Sequence, residues 1–138
     1  MKRICGVILV VMAVVVAVHT VVEPLYASTE ESPYSPAWAV LGWAMMLPLA
    51  LGVWFGHVRK KAADSGGAVT REFLAANVHF YGGLFFGIIF LFNWFNQITP
   101  TFTAVGNDTV SLVWIVLDAG LPLLWGTMGM FLLRGGGE

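Results

Sequence analysis

The sequence predicts an all-α integral membrane protein with four transmembrane helices, short loops and both termini in the cytoplasm. Of its 138 residues, 58% are hydrophobic and only 11% are charged, whereas a soluble domain has about 25% charged residues. The mean hydropathy is +0.80. The apolar residues fall into four runs, each near the roughly 20 residues that a membrane-spanning helix needs. We therefore expect a single four-helix membrane domain over residues 1–138.

The first predicted span covers residues 4–22 and is rich in valine. Lys2 and Arg3 precede it, as in a secretory signal, and cleavage after Ala27 fits the pattern of small residues. The apolar run of about 19 residues is nevertheless long enough to cross a bilayer. We interpret it as an uncleaved signal-anchor helix.

The second predicted span covers residues 37–58. Trp38 and Trp54 lie towards its two ends, which is typical of tryptophan at membrane interfaces. Gly52 and Gly56 form a G-x-x-x-G pair, and small residues at this spacing let a neighbouring helix approach closely.

The third predicted span covers residues 73–96 and has one stripe of small and polar residues at helical spacing. Lipid cannot satisfy histidine or asparagine, so this stripe is expected to face protein. Tyr81 should lie at about the depth of Asp118 in the fourth span. The candidate packing residues of the third span are His79, Tyr81, Gly83, Gly87 and Asn93.

The fourth predicted span covers residues 109–133 and carries Asp118 in its interior. An intramembrane acid by default marks a proton or cation pathway. The alternative is an acid that burial keeps neutral, or that a neighbouring hydroxyl, amide or indole binds. We favour this structural role. No lysine or arginine of the chain is predicted at that depth, so a cationic partner would have to come from another chain.

The charges predict the orientation. Cytoplasmic loops of membrane proteins are enriched in lysine and arginine. The basic residues all fall on one predicted side, and they are Lys2, Arg3, Arg59, Lys60, Lys61, Arg71 and Arg134. The opposite side carries Glu23, Glu30, Glu31 and Asp108. We expect the basic side to face the cytoplasm of a cell (inner) membrane.

Catalytic and metal-binding signatures are missing from the sequence. The single cysteine, Cys5, rules out C-x-x-C pairs, and the loops carry no Ser-His-Asp set or Gly-rich phosphate loop. No cofactor is predicted. Haem bound between His57 and His79 is an alternative, although the two differ in predicted depth.

The predicted function is that of a small non-catalytic accessory or assembly-stabilising subunit of a larger membrane complex. Respiratory, photosynthetic and membrane-oxygenase complexes are the candidate types. The expected partners are other integral membrane subunits and lipid, and the net charge of −1 gives no sign of a nucleic-acid partner. Two alternatives stay open: an oligomeric proton- or cation-coupled transporter that uses Asp118, and a haem-binding electron carrier that uses His57 and His79.

Overall fold

The computed structural model describes residues 1–26, 34–99, 101 and 104–136. It contains four long helices, and each is long and apolar enough to cross a membrane. The four predicted helices are thereby confirmed. The helices are α1 (Lys2–Val22), α2 (Trp38–Asp64), α3 (Arg71–Ile98) and α4 (Asn107–Leu133), and a short 3-10 helix, Glu23–Leu25, follows α1. Glu30 and Glu31 lie outside the described residues.

The connection between α2 and α3 is shorter than the sequence suggested. α2 continues past Val58 to Asp64, and an ion pair between Lys60 and Asp64, one turn apart, lies in this extension. α3 begins at Arg71, where the Thr70 side chain accepts a hydrogen bond from the Phe73 N–H at 3.1 Å. Thr70 is thus the N-cap of α3, a position that threonine favours.

The helices pack as two pairs that close into a bundle: α1 lies mainly against α4, and α2 mainly against α3. α1 and α4 run antiparallel, because Gly6 lies beside Gly129 and Ala13 beside Gly126. The start of α1 and the end of α4 therefore share one end of the bundle. The Arg59 guanidinium lies over the Phe131 ring at this same end, so the basic residues gather there.

All four helices contribute to the buried core, and α4 contributes the most. Both Pro48 and Pro122 are buried inside continuous helices. The core side chains are Leu9, Ala13, Val16, Met45, Leu49, Phe90, Leu117, Leu121, Trp125, Met128 and Leu132.

Candidate functional site

The two glycines of the α2 G-x-x-x-G pair face different neighbours within the chain. A Cβ atom built on Gly56 would lie 3.2 Å from the Cα of Phe80, so α2 and α3 approach closely there. A Cβ atom on Gly52 would lie 3.3 Å from Cδ1 of the Trp125 indole on α4. The pair thus accommodates α3 and α4 of the same molecule.

Gly83 and Gly87 of α3 face back towards α2. A Cβ atom on Gly83 would lie 3.5 Å from Cγ2 of Val53, and one on Gly87 would lie 3.5 Å from Cδ1 of Leu49. The small-residue surfaces of α2 and α3 are therefore packed against each other, so they are not left for another subunit.

Asn93 and Tyr81 have different environments on α3. Asn93 is 1% exposed, and its Nδ2 donates a hydrogen bond to the Val110 carbonyl at 3.1 Å, which links α3 to the first turn of α4. Tyr81 is 57% exposed. The Lys60 ammonium lies 5.7 Å from its ring centroid. Asn93 thus holds the bundle together, whereas Tyr81 lies on its surface.

Asp118 lies inside the bundle and is only 6% exposed. It lies about two turns before Gly126, which packs beside Ala13, so the antiparallel register puts it level with the last turn of α1. Within the part of the chain that the structure describes, its buried Oδ1 has no hydrogen-bond partner, and the same is true of the Trp114 Nε1 one turn earlier. Glu23 directly follows α1, so it lies at about the same level of the bundle.

Glu23 organises the polar end of α1. Its Oε1 accepts hydrogen bonds from the Ser35 N–H at 2.6 Å and from the Trp38 Nε1–H at 2.7 Å. The His19 ring packs edge-on against Trp38 with 4.6 Å between centroids, and its Nδ1 lies 2.8 Å from the Tyr26 hydroxyl. The sequence alone shows Glu23 only as a charge at the end of an apolar run.

Arg59 organises the basic end of the bundle, as Glu23 organises the opposite end. Its Nε and Nη2 donate to the two carboxylate oxygens of Glu72 at 2.6 and 2.8 Å. The guanidinium carbon lies 3.8 Å from the centroid of the Phe131 ring. Arg59 therefore joins α2, α3 and α4 through a forked ion pair and a cation–π contact, a role that sequence analysis did not identify.

Both ring nitrogens of His79 lie within hydrogen-bond distance of other groups of the protein. Nε2 lies 2.8 Å from the Thr127 hydroxyl, and Nδ1 lies 2.8 Å from the Ala75 carbonyl and 3.2 Å from Nη1 of Arg59. A carbonyl only accepts and a guanidinium only donates. Nδ1 can therefore serve Ala75 or Arg59, but not both. The Thr127 hydroxyl donates to the Leu123 carbonyl at 2.6 Å, so while that bond is made it can only accept from Nε2–H of His79.

The two histidines of the haem alternative line separate spaces. His79 borders an enclosed cavity of about 10 Å³ between α2, α3 and α4, which is the size of about one water molecule. His57 borders a groove of about 600 Å³ between α2 and α3, and its ring lies 5.5 Å from that of Phe80. This geometry does not bring the two imidazoles to one ligand.

Among the described residues, no group of three or more histidine, cysteine or acidic side chains could hold a metal ion. Cys5 is a free thiol. Comparison of the chain with protein-family models, curated proteins and solved structures gives no match. Function must therefore be inferred from the surfaces and buried groups of the molecule itself.

Proposed function

We propose that this chain is a small non-catalytic accessory subunit that stabilises the assembly of a larger membrane protein complex. The proposal is carried by one surface, a row of large side chains along the outside of α3, which we call the α3 stripe. Each of its members is at least half exposed. The α3 stripe consists of Tyr81, Phe85, Ile88, Phe92 and Phe95.

The spacing of the α3 stripe favours a helix as its partner. Its members follow one another at intervals of four, three, four and three residues, the 3.5-residue repeat with which one helix packs along another. From Tyr81 to Phe95 the stripe extends about 21 Å along the helix axis, most of the roughly 30 Å hydrocarbon thickness. Aromatic side chains are also the commonest anchors of protein interfaces.

The burial of the glycine surfaces strengthens this choice. Gly56, Gly83 and Gly87 contact neighbouring helices of the same chain, so they are not available to another subunit, whereas the aromatic side chains of the α3 stripe are exposed. The basic end of the bundle would face the cytoplasm by the positive-inside rule, and the parent complex would be of the respiratory, photosynthetic or membrane-oxygenase type.

The α3 stripe can be tested with the double variant Phe85→Ala/Phe95→Ala. After extraction in a mild detergent, the native chain should elute with larger membrane subunits, which mass spectrometry identifies. We expect the double variant to elute alone, because losing two anchors weakens association by at least about 30-fold.

The matched control is Leu112→Ala/Leu123→Ala, which removes from α4 two apolar side chains that are at least as exposed as Phe85 and Phe95. It should leave the chain in the complex. Elution of the native chain as a lone, stable monomer would contradict the proposal, and so would equal loss of association in both double variants.

One observation favours the second candidate, a proton- or cation-coupled transporter. Asp118 is a buried carboxyl with an oxygen that has no hydrogen-bond partner among the described residues, and Glu23 lies at about the same level of the bundle. Such a group is a natural site for a proton within a membrane. The Asp118→Asn variant discussed below separates this candidate from a structural role.

A further inference from the structure

A groove between α2 and α3 forms a large recess on the molecule. Its volume is about 600 Å³, and all the residues that line it belong to these two helices. It therefore opens on the outside of the bundle, away from α1 and α4. Its walls are apolar except at one end, where His57 lies. Six of the lining residues are Ala50, Trp54 and His57 on α2, and Leu84, Ile88 and Leu91 on α3.

The length of the α2–α3 groove corresponds to one leaflet of a bilayer. It runs from Met46 to His57 along α2 and from Phe80 to Leu91 along α3, which is about 16 Å on either helix. This is close to half of the roughly 30 Å hydrocarbon thickness. A transmembrane helix of another subunit would need a groove as long as the whole hydrocarbon thickness. One acyl chain of a lipid needs a groove only as long as one leaflet.

The basic residues next to the groove differ in whether they have a carboxylate partner. Arg59 and Lys60 each have a carboxylate partner within the chain. Lys61 is exposed, and the described residues include no hydrogen bond or ion pair to it. Lys61 follows His57 by one helical turn, so it lies on the same face of α2, just beyond the end of the groove.

We propose that the α2–α3 groove binds one anionic phospholipid, with an acyl chain along the groove and the headgroup phosphate paired with Lys61. His57, at the end of the groove, donates a hydrogen bond to the same phosphate. Basic pockets between helices at the cytoplasmic side of membrane proteins bind anionic headgroups in this way. This site does not depend on the accessory role, although Ile88 belongs both to the groove and to the edge of the α3 stripe.

Trp54 provides a direct reporter because it lines the groove. The full chain is reconstituted into phosphatidylcholine vesicles. These contain an increasing fraction of one brominated lipid, either phosphatidylglycerol or phosphatidylcholine, whose brominated acyl chains quench tryptophan fluorescence. Subtracting the fluorescence of Trp54→Phe from that of the native chain gives the fluorescence of Trp54 without that of the other tryptophans. We expect brominated phosphatidylglycerol to quench Trp54 at a lower mole fraction than brominated phosphatidylcholine.

Two pairs of variants test the two parts of the site. Lys61→Ala should reduce the preference for phosphatidylglycerol about fivefold, the contribution of one lysine near an anionic surface, whereas Lys60→Ala should leave it unchanged. Ala50→Phe fills the groove and should reduce the quenching of Trp54 by either brominated lipid. Ala119→Phe, an equally exposed alanine on α4, should have no effect.

Equal quenching of Trp54 by the two brominated lipids would overturn the proposal. The same follows if Lys60→Ala and Lys61→Ala reduce the preference equally. If Ala50→Phe instead releases co-purifying subunits and leaves the lipid preference intact, a protein segment occupies the groove and the lipid assignment is wrong.

Discussion

Asp118 combines burial with an incomplete set of hydrogen bonds. The bundle leaves its side chain 6% exposed, and the described residues provide no hydrogen-bond partner for its Oδ1. A charged carboxylate is costly in such surroundings unless a cation compensates it. A neutral acid is therefore the form that this site favours, and its neighbours are helices of the same chain.

Replacing Asp118 with asparagine tests the structural role. The amide has the shape of the neutral acid and can donate and accept hydrogen bonds, so we expect the free energy of unfolding to change by less than about 1 kcal/mol. Thermal unfolding in detergent measures the change, with the exposed Asp108→Asn as a control. Loss of proton or cation flux in reconstituted vesicles, with folding and assembly intact, would support the transporter candidate instead.

Glu23 and Arg59 show which residues the sequence could not single out. Glu23 binds Trp38, fifteen residues away, and Arg59 binds Glu72, thirteen residues away. Each pair forms only because two helices are brought together, so neither leaves a pattern in the local sequence. Thr70 was predictable, by contrast, because an N-cap is satisfied within its own first helical turn.

At the scale of the helices, the closest approach lies between α1 and α4. A Cβ atom built on Gly129 would lie 2.8 Å from the Gly6 carbonyl oxygen and 2.7 Å from Cγ2 of Val10. One built on Gly6 would lie 3.0 Å from the Gly129 carbonyl oxygen. The two backbones are therefore in contact, and there is no room for a side chain between them.

Gly129→Ala should separate α1 from α4 and lower the free energy of unfolding by about 1–3 kcal/mol, the usual cost of overpacking. Gly126→Ala is the matched control on the same helix, because its Cβ would meet that of Ala13 at an ordinary 3.6 Å. Thermal unfolding in detergent measures the stability of the two variants. An equal loss of stability in both variants would mean that alanine disturbs α4 itself rather than its contact with α1.

The helices themselves were predictable, but their pairing was not. Long apolar runs mark a span whatever its neighbours, whereas Gly6 in a valine-rich run gives no sign that it contacts Gly129. The Gly52–Gly56 pair predicts close packing but not a partner, and its two glycines face different helices. The apolar run predicts an end near Val58, but α2 continues to Asp64 because charged residues can extend a helix beyond the apolar run.

At the scale of the whole molecule, charge divides the bundle into a basic and an acidic end. The helix arrangement brings the start of α1, the α2–α3 connection and the end of α4 together. Glu23 and Asp108 lie at the opposite end, one just after α1 and the other in the first turn of α4. Such a distribution gives a small multi-pass protein one favoured direction of insertion.

Single cysteines can test this direction of insertion. In a Cys5→Ala background, Ser65→Cys lies at the basic end and Asp108→Cys at the acidic end, and both positions are exposed. We expect a membrane-impermeant maleimide to label Asp108→Cys on intact cells and Ser65→Cys only after permeabilisation. The reverse pattern would show that the positive-inside rule fails for this chain.

The contact between Gly6 and Gly129 also constrains the order of biogenesis. Translation produces α1 first, whereas α4, against which it mainly packs, is the last of the four spans to leave the ribosome. If the four helices insert into a membrane as they are made, lipid or the insertion machinery covers the inner face of α1 until α4 follows. A nascent chain halted before α4 keeps that face uncovered, and it is a form that cellular quality control can recognise.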